Sequence, residues 1–254
     1  MIGQKQYVLD LALKGKRVDL RKFEDFRKVI IEKNPLEKPE GCARVKIGKT
    51  DVIVGVKMEV AEPYPDKPDE GTLMVNAELS PMAYSEFETG PPREDAIELA
   101  RVVDRGIREA GTIDTKKLCI KKKEKVWIVM IDIQVMNHDG NLFDASTLAA
   151  VEALHNTKIP AYDGETVDYE KKTNPLPITC KPVSVTLVKL GEKLIVDPLI
   201  DEEDAADARI TVTTKDNGNI CALQKGGSGA FTMEEIEKAF ELAIDKGKEL
   251  RKLL

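Results

Sequence analysis

Apolar and polar residues alternate through 42–60, CARVKIGKTDVIVGVKMEV, in a stretch rich in Val and Ile. A period of two predicts two strands, each with one buried face, and Gly48-Lys49 between them reads as a hairpin turn. Residues 72–79, TLMVNAEL, alternate again. Residues 126–136, VWIVMIDIQVM, are apolar at nearly every position, which predicts a strand buried on both sides. After Pro91-Pro92 the period changes. Ala96, Leu99, Ala100, Val103, Ile107 and Ala110 recur at spacings of three and four and form one helical stripe. Glu94 and Asp95 suit the first turn of that helix, and Gly111 is its expected stop. The small-residue segment DASTLAAVEALHN predicts a second helix with Asp144 as its cap. A short helix is expected over 4–14, and Pro63, Pro65 and Pro68 mark a loop.

The later part of the chain repeats this plan. Strands over 183–190 and 193–197 flank Gly191, and strands over 208–214 and 219–224 flank the hairpin signal Asn217-Gly218. Thr232 and Glu235 form a capping box that opens a final helix from about residue 233. The polar segment 161–181, with Pro175 and Pro177, reads as the connection between two halves, 1–160 and 161–254. Runs of strands followed by single helices predict an α+β fold of two similar βα halves, not a doubly wound sheet.

The chain has 254 residues, 42% of them hydrophobic, enough for a sizeable core. No window approaches the ~20 consecutive apolar residues of a membrane span, and the N-terminus lacks a signal-peptide pattern. A soluble, cytoplasmic protein is the expectation. The net charge is −6 with both signs interspersed, so nucleic acid could bind only at a local basic patch. Cys42, Cys119, Cys180 and Cys221 are too scattered for a metal or redox motif and read as small core residues. Two histidines cannot make a metal cluster. His155, at a predicted helix end, could complement the helix dipole. Neither a metal nor a cofactor is expected.

Four clusters invite chemistry. Gly226-Gly227-Ser228-Gly229 lacks the Lys-Ser/Thr end of a phosphate loop and reads as a structural turn. Asp201-Glu202-Glu203-Asp204, with Asp197 and Asp207 nearby, could hold Mg²⁺ or supply a general acid, although such runs are usually solvated loops. Lys121-Lys122-Lys123 reads as an exposed loop. Arg101, Arg105 and Arg108 share the helix face opposite the apolar stripe, a row that can follow a phosphate backbone. Local pairing competes with that use: Glu98 with Arg101, Asp104 with Arg108, and Glu109 with Arg105 all have helical spacing.

Several segments, in order, resemble the ribonuclease PH family. RVDLR at 17–21 is similar to its R-x-D-G-R opening, with Leu20 in place of Gly. GCARVKIGKTDVIVGVKMEV, DAIELARVVDRGIR, VWIVMIDIQVMNHDGNLFDASTLAAVEAL and IVDPLIDEEDAADARITV carry the rest of the likeness, which runs from about residue 15 to 250. DAIELARVVDR and DGNLFDASTLAAVEALHNTKIP look most like the non-catalytic ring subunit of the archaeal exosome. That resemblance implies the ribonuclease PH fold and an alternating hexameric ring with a catalytic ribonuclease PH-type subunit. It also implies RNA-binding cap subunits, and single-stranded RNA degraded from its 3′ end by phosphate. Catalytic relatives follow the Asp-Gly turn with a Gly-Ser/Thr-Arg type phosphate-binding sequence, whereas Asn141-Leu142-Phe143 stands here. The resemblance therefore implies no catalytic residue in this chain. Asp197 matches the first of two aspartates of catalytic relatives, and Glu203 or Asp204 is the candidate for the second. Arg101 and Arg105 match a pair that the non-catalytic subunit points toward RNA. Two competing readings are an active phosphate-dependent 3′-5′ exoribonuclease and, from another class, a small-molecule kinase, for which GGSGAF is a poor ATP loop.

Overall fold

The computed structural model describes residues 2–254. Helix α1 (Ile2–Leu13) leads into a loop and then strands β1 (Val29–Lys33), β2 (Gly41–Ile47), β3 (Thr50–Ala61) and β4 (Thr72–Leu79). Helix α2 (Glu94–Ala110), short β5 (Cys119–Lys121), long β6 (Lys125–Asn137) and helix α3 (Leu142–Asn156) follow. These strands form one sheet of order β1-β2-β3-β6-β4, with β5 pairing β6. All of its pairings are antiparallel except β4 with β6. The Gly48-Lys49 turn closes β2 on β3 with Ile47 opposite Thr50. Val52, Val54, Val56, Val129, Ile131 and Ile133 are buried at every second position, the signature of a sheet covered on one face.

The segment expected to be a plain connection is a hairpin, β7 (Lys158–Tyr162) with β8 (Val167–Pro175). Its outer strand is exposed along most of its length, so no apolar pattern betrayed it. A second sheet of order β10-β9-β11-β12 is built from β9 (Val183–Leu190), β10 (Lys193–Val196), β11 (Ala208–Thr214) and β12 (Ile220–Gly226). Helix α4 (Ile200–Ala205) interrupts it, and α5 (Met233–Arg251) ends the chain. The capping box at Thr232 and Glu235 forms as expected.

Helix α3 packs on β2 and β3 from one side and on β9 from the other, and α2 bridges β4 and β12 in the same way. The order of layers is therefore sheet, helices, sheet, then α5 outermost on β9 and β11. Buried side chains of both sheets join one hydrophobic core, which includes Val45, Leu148, Val185 and Ala239. Gly41 allows the close α3–β2 approach: a Cβ there would lie 2.7 Å from Thr157 Cα. Helix α1 packs on α4 and, through Val8 and Ala12, beside Val188, Leu190 and Ile195 of the second sheet. No helix among the described residues is long and apolar enough to cross a membrane.

Candidate RNA-contact face and the closed cleft beside it

Helix α2 starts after extended Arg93, carries Glu94 and Asp95 in its first turn, and stops at left-handed Gly111 (φ 67°). Its apolar stripe is buried as expected, with Val102 and Gly106 added. Gly106 lets β11 come close, since a Cβ there would touch Thr213 at 3.3 Å. Arg101, Arg105 and Arg108 are exposed.

Of the three ion pairs expected along the helix, one forms. Arg108 binds Asp104 at 2.7 and 3.1 Å and also donates to the Leu73 carbonyl at 2.9 Å. Glu98 turns instead to the second sheet, where it accepts from Arg209 at 2.6 Å and Gln224 at 3.2 Å. Among the described residues no carboxylate pairs with Arg101 or Arg105. Both line a shallow cleft of about 430 Å³ that also meets Glu94, Asp95, Glu98, Ile97, Val102 and Gln224. The row thus splits into one tethered arginine and two free ones.

The turn before α3 is set by packing. Gly140 is left-handed and abuts the 198–200 backbone, where a Cβ would fall 2.6 Å from the Leu199 carbonyl carbon. Asn141 follows, also left-handed at φ 56°, and it, not Asp144, is the residue before the helix. Asp144 lies inside the first turn, fully buried, and accepts from Asn141 Nδ2 and from the Thr186 amide and hydroxyl at 2.8–3.0 Å. The expectation that it caps the helix fails because its carboxylate ties α3 to β9. Burial pushes its pKa up to about 7 in spite of those donors.

Asp197 is also fully buried and left-handed (φ 49°). It accepts from Arg27 Nε, Nη2 and backbone N–H at 2.7–2.9 Å, from Arg21 at 2.8 Å and from Asn141 Nδ2 at 2.8 Å. Burial works to raise its pKa, but the hydrogen bonds and charge of Arg27 outweigh it and hold the carboxyl below its usual range. Nearby, Arg17 is wholly buried. It grips Glu202 through Nε at 2.9 Å and Nη2 at 2.6 Å, and donates to the carbonyls of Val196 and Asp197. The acidic run is therefore no solvated loop but helix α4, with Glu202 sealed inside.

Glu203 takes a different position. Its Oε1 accepts the Asn141 backbone N–H at 2.9 Å, so the protein's own carboxylate sits at the start of α3. It lies at the floor of a cleft of about 260 Å³ that also meets Phe143, Asp204, Arg209 and His138. Burial, against the pull of the Asn141 amide and of Arg209 and Arg27, raises the Glu203 pKa to about 7. Phe143 is buried under the Arg209 guanidinium at 4.2 Å from its ring centre. Burial and Arg27 lower the His138 pKa to about 4, which keeps the ring neutral. Glu86, Asp95 and Glu98 add three more carboxylates around the same cleft, against the single arginine. An anion entering it meets apolar rings and acids.

Two family models match the chain. One, the 3′ exoribonuclease family, domain 1, covers residues 25–160, and the other, domain 2 of the same family, covers residues 180–246.

The chain belongs to the 3′ exoribonuclease family.

Among family members, it is 48% identical over 253 residues to the exosome complex component Rrp42 of Methanosarcina mazei, covering 98% of this chain and 92% of that one. It is 48% identical to the Thermococcus kodakarensis protein of the same name, over 97% and 92% of the two chains. A solved chain from the Archaeoglobus fulgidus exosome with RNA bound to the active site superposes with a TM-score of 0.93 at 47% identity, covering 98% of this chain and 96% of that one. Rice Rrp46, at 16% identity and a TM-score of 0.70, shares the fold alone. The ribonuclease PH fold expected from the sequence is the fold observed.

The remaining sequence candidates resolve simply. The Gly-rich stretch is a turn in which Gly229 N–H donates to the Asp207 carbonyl at 2.7 Å. Lys121 and Lys122 pair with Glu124 and Asp69 on an exposed turn. Burial and Lys181 lower the His155 pKa, which works against the charge expected at the end of α3. Cys42 is buried and the other three cysteines are half-buried, all with free thiols. The described residues contain no group of His, Cys, Asp and Glu able to hold a metal ion. The Arg17–Glu202 and Arg27–Asp197 clamps escaped sequence reasoning. Their only sequence signal was the likeness of 17–21 to a family motif.

Proposed function

We propose that this chain is a non-catalytic subunit of an archaeal-type exosome that completes a ring with a catalytic ribonuclease PH-type partner and positions RNA for it. The carrying observation is the cleft at the start of α3. Phosphorolysis uses bound phosphate as its nucleophile, and here Glu203 occupies the Asn141 amide while the Leu142 and Phe143 side chains offer no hydrogen bond. A second anion beside Glu203, Asp204 and Glu98 would be repelled, with Arg209, already paired to Glu98, as the one arginine in reach. The positive function lies on α2. Arg101 and Arg105 are exposed and form no ion pair, although Glu94, Asp95 and Glu98 line the same cleft, and their planar guanidinium groups suit phosphate oxygens. Such contacts hold RNA without reading its sequence. Likeness to archaeal exosome components supports the exosome assignment; the alternating hetero-hexameric ring, its RNA-binding caps and a cytoplasmic location are part of the proposal.

The test is phosphorolysis of labelled single-stranded RNA by the purified chain, by the catalytic partner and by their mixture. The expected result is no phosphate-dependent release of nucleoside diphosphates by this chain alone and full activity in the mixture. Turnover by the pure chain would make it an enzyme in its own right and overturn the reading.

A further inference from the structure

Glu98 stands one helical turn before Arg101, a spacing at which a glutamate and an arginine ordinarily pair. It does not pair here, and the reason comes from the other half of the molecule. Arg209, on β11, reaches across β12 to Glu98 at 2.6 Å, and Gln224 of β12 donates to the same Oε1 at 3.2 Å.

The path of that arginine is prepared at each step. Its register partner on β12 is Gly226, and a Cβ at Gly226 would lie 2.6 Å from Arg209 Nη2 and 3.0 Å from its central carbon. A side chain at this position would force the guanidinium to shift where it crosses the strand. The Phe143 ring supports the group from α3 at 4.2 Å, an arrangement favourable to a cation over an aromatic face. Four elements, α2, α3, β11 and β12, thus converge on one ion pair at the edge of the α2 cleft.

We infer that Arg209 is a positioning residue for RNA: by holding Glu98 in an ion pair across the two sheets, it leaves Arg101 free to meet a phosphate. The inference rests on the RNA-positioning reading above. Without Arg209, Glu98 gains the freedom to turn to Arg101, and its charge faces the cleft uncompensated. Either outcome of the one change weakens RNA binding: a donor is occupied, or a repulsive carboxylate stands beside it. Gly226 has its role in the same device, as the gap through which the arginine passes.

The experiment measures the affinity of labelled single-stranded RNA for the assembled ring carrying Arg209→Ala, Glu98→Gln, or both. Arg209→Ala is expected to weaken binding about threefold to tenfold, the range for one unscreened carboxylate near a partly solvated phosphate. The double variant is expected to return to within about twofold of wild type, since the liberated side chain no longer carries charge. A double variant as weak as Arg209→Ala would overturn the inference, because Arg209 would then act on RNA directly or through the fold. Unchanged affinity in Arg209→Ala would overturn it equally. Should Arg209→Ala fail to assemble, Gly226→Ala crowds the same guanidinium from its seat, and Glu98→Gln must rescue that variant instead. Arg101→Ala with Arg105→Ala is measured in parallel. If that pair does not weaken RNA binding, the RNA-positioning reading itself fails. If it does, and the Arg209 variants do not, only the present inference falls.

Discussion

The two free arginines of α2 make a prediction that salt alone can read. For single strands, each phosphate that a protein neutralises contributes about 0.7 to the slope of log affinity against log salt. Arg101 and Arg105 are both exposed and unpaired, so each can release one counterion. Replacing both with alanine is expected to flatten the slope by about 1.4. Over a rise from about 50 to about 200 mM salt, the wild-type ring should then lose about sevenfold more affinity than the variant. Arg108 is the control on the same helix. It is already committed to Asp104 and to the Leu73 carbonyl. Arg108→Ala should leave the slope unchanged and lower stability by less than about 1 kcal/mol. Fluorescence anisotropy with labelled RNA at four or more salt concentrations measures all three rings. An equal change in slope for Arg108→Ala, or none for the double variant, would refute the reasoning.

Two further predictions concern the buried charges. Arg17→Met strands Glu202 in the interior and should lower unfolding free energy by about 3–5 kcal/mol, whereas Arg17→Met with Glu202→Leu should recover at least half of that; equal denaturant midpoints for the single and double variants would count against the clamp. Asp144 has its pKa raised to about 7 in the fold. Its proton is held more tightly there than in the unfolded chain, so its contribution to stability is full below about pH 4 and is lost as pH rises through about 7. Asp144→Asn should therefore flatten the stability profile across that window and gain on wild type as pH rises, with the Thr186 hydroxyl free to accept from the new amide. A profile as steep as wild type would exclude Asp144 as the source. Asp197, held below its usual range by Arg27, acts in the opposite sense, and its contribution is lost only on acidification.

Most of the fold was legible in the sequence because it is written in local patterns. Residues 72–79 alternate and are β4; the stripe from Ala96 to Ala110 is the buried side of α2. The site was less legible because it is built from pairings between distant segments. Glu98 has Arg101 as its sequence neighbour but Arg209 as its partner, a choice made by the way β11 and β12 meet α2. Asp144 resembles a helix cap in sequence, yet Asn141 takes a left-handed turn and the carboxylate goes to Thr186. The run 201–204 looks like one solvated acidic stretch. Its four carboxylates have separate fates: Glu202 goes to Arg17, Glu203 to the Asn141 amide, half-buried Asp201 accepts from Gln4 of α1, and Asp204 remains toward solvent. Resemblance to a family supplied Arg101 and Arg105; helical geometry alone could not separate them from Arg108.

The Arg17 clasp also fixes an order of events during synthesis. Its partner Glu202 lies 185 residues further along the chain. At about 5–20 residues per second, a ribosome takes on the order of ten to forty seconds to deliver that partner. Through that interval Arg17 lacks its buried partner and has only local carboxylates such as Asp19 within reach, while the hairpins and helices of the first sheet can already form from local contacts. The opening segment of this protein therefore stays unlocked until α4 of the second half has been made.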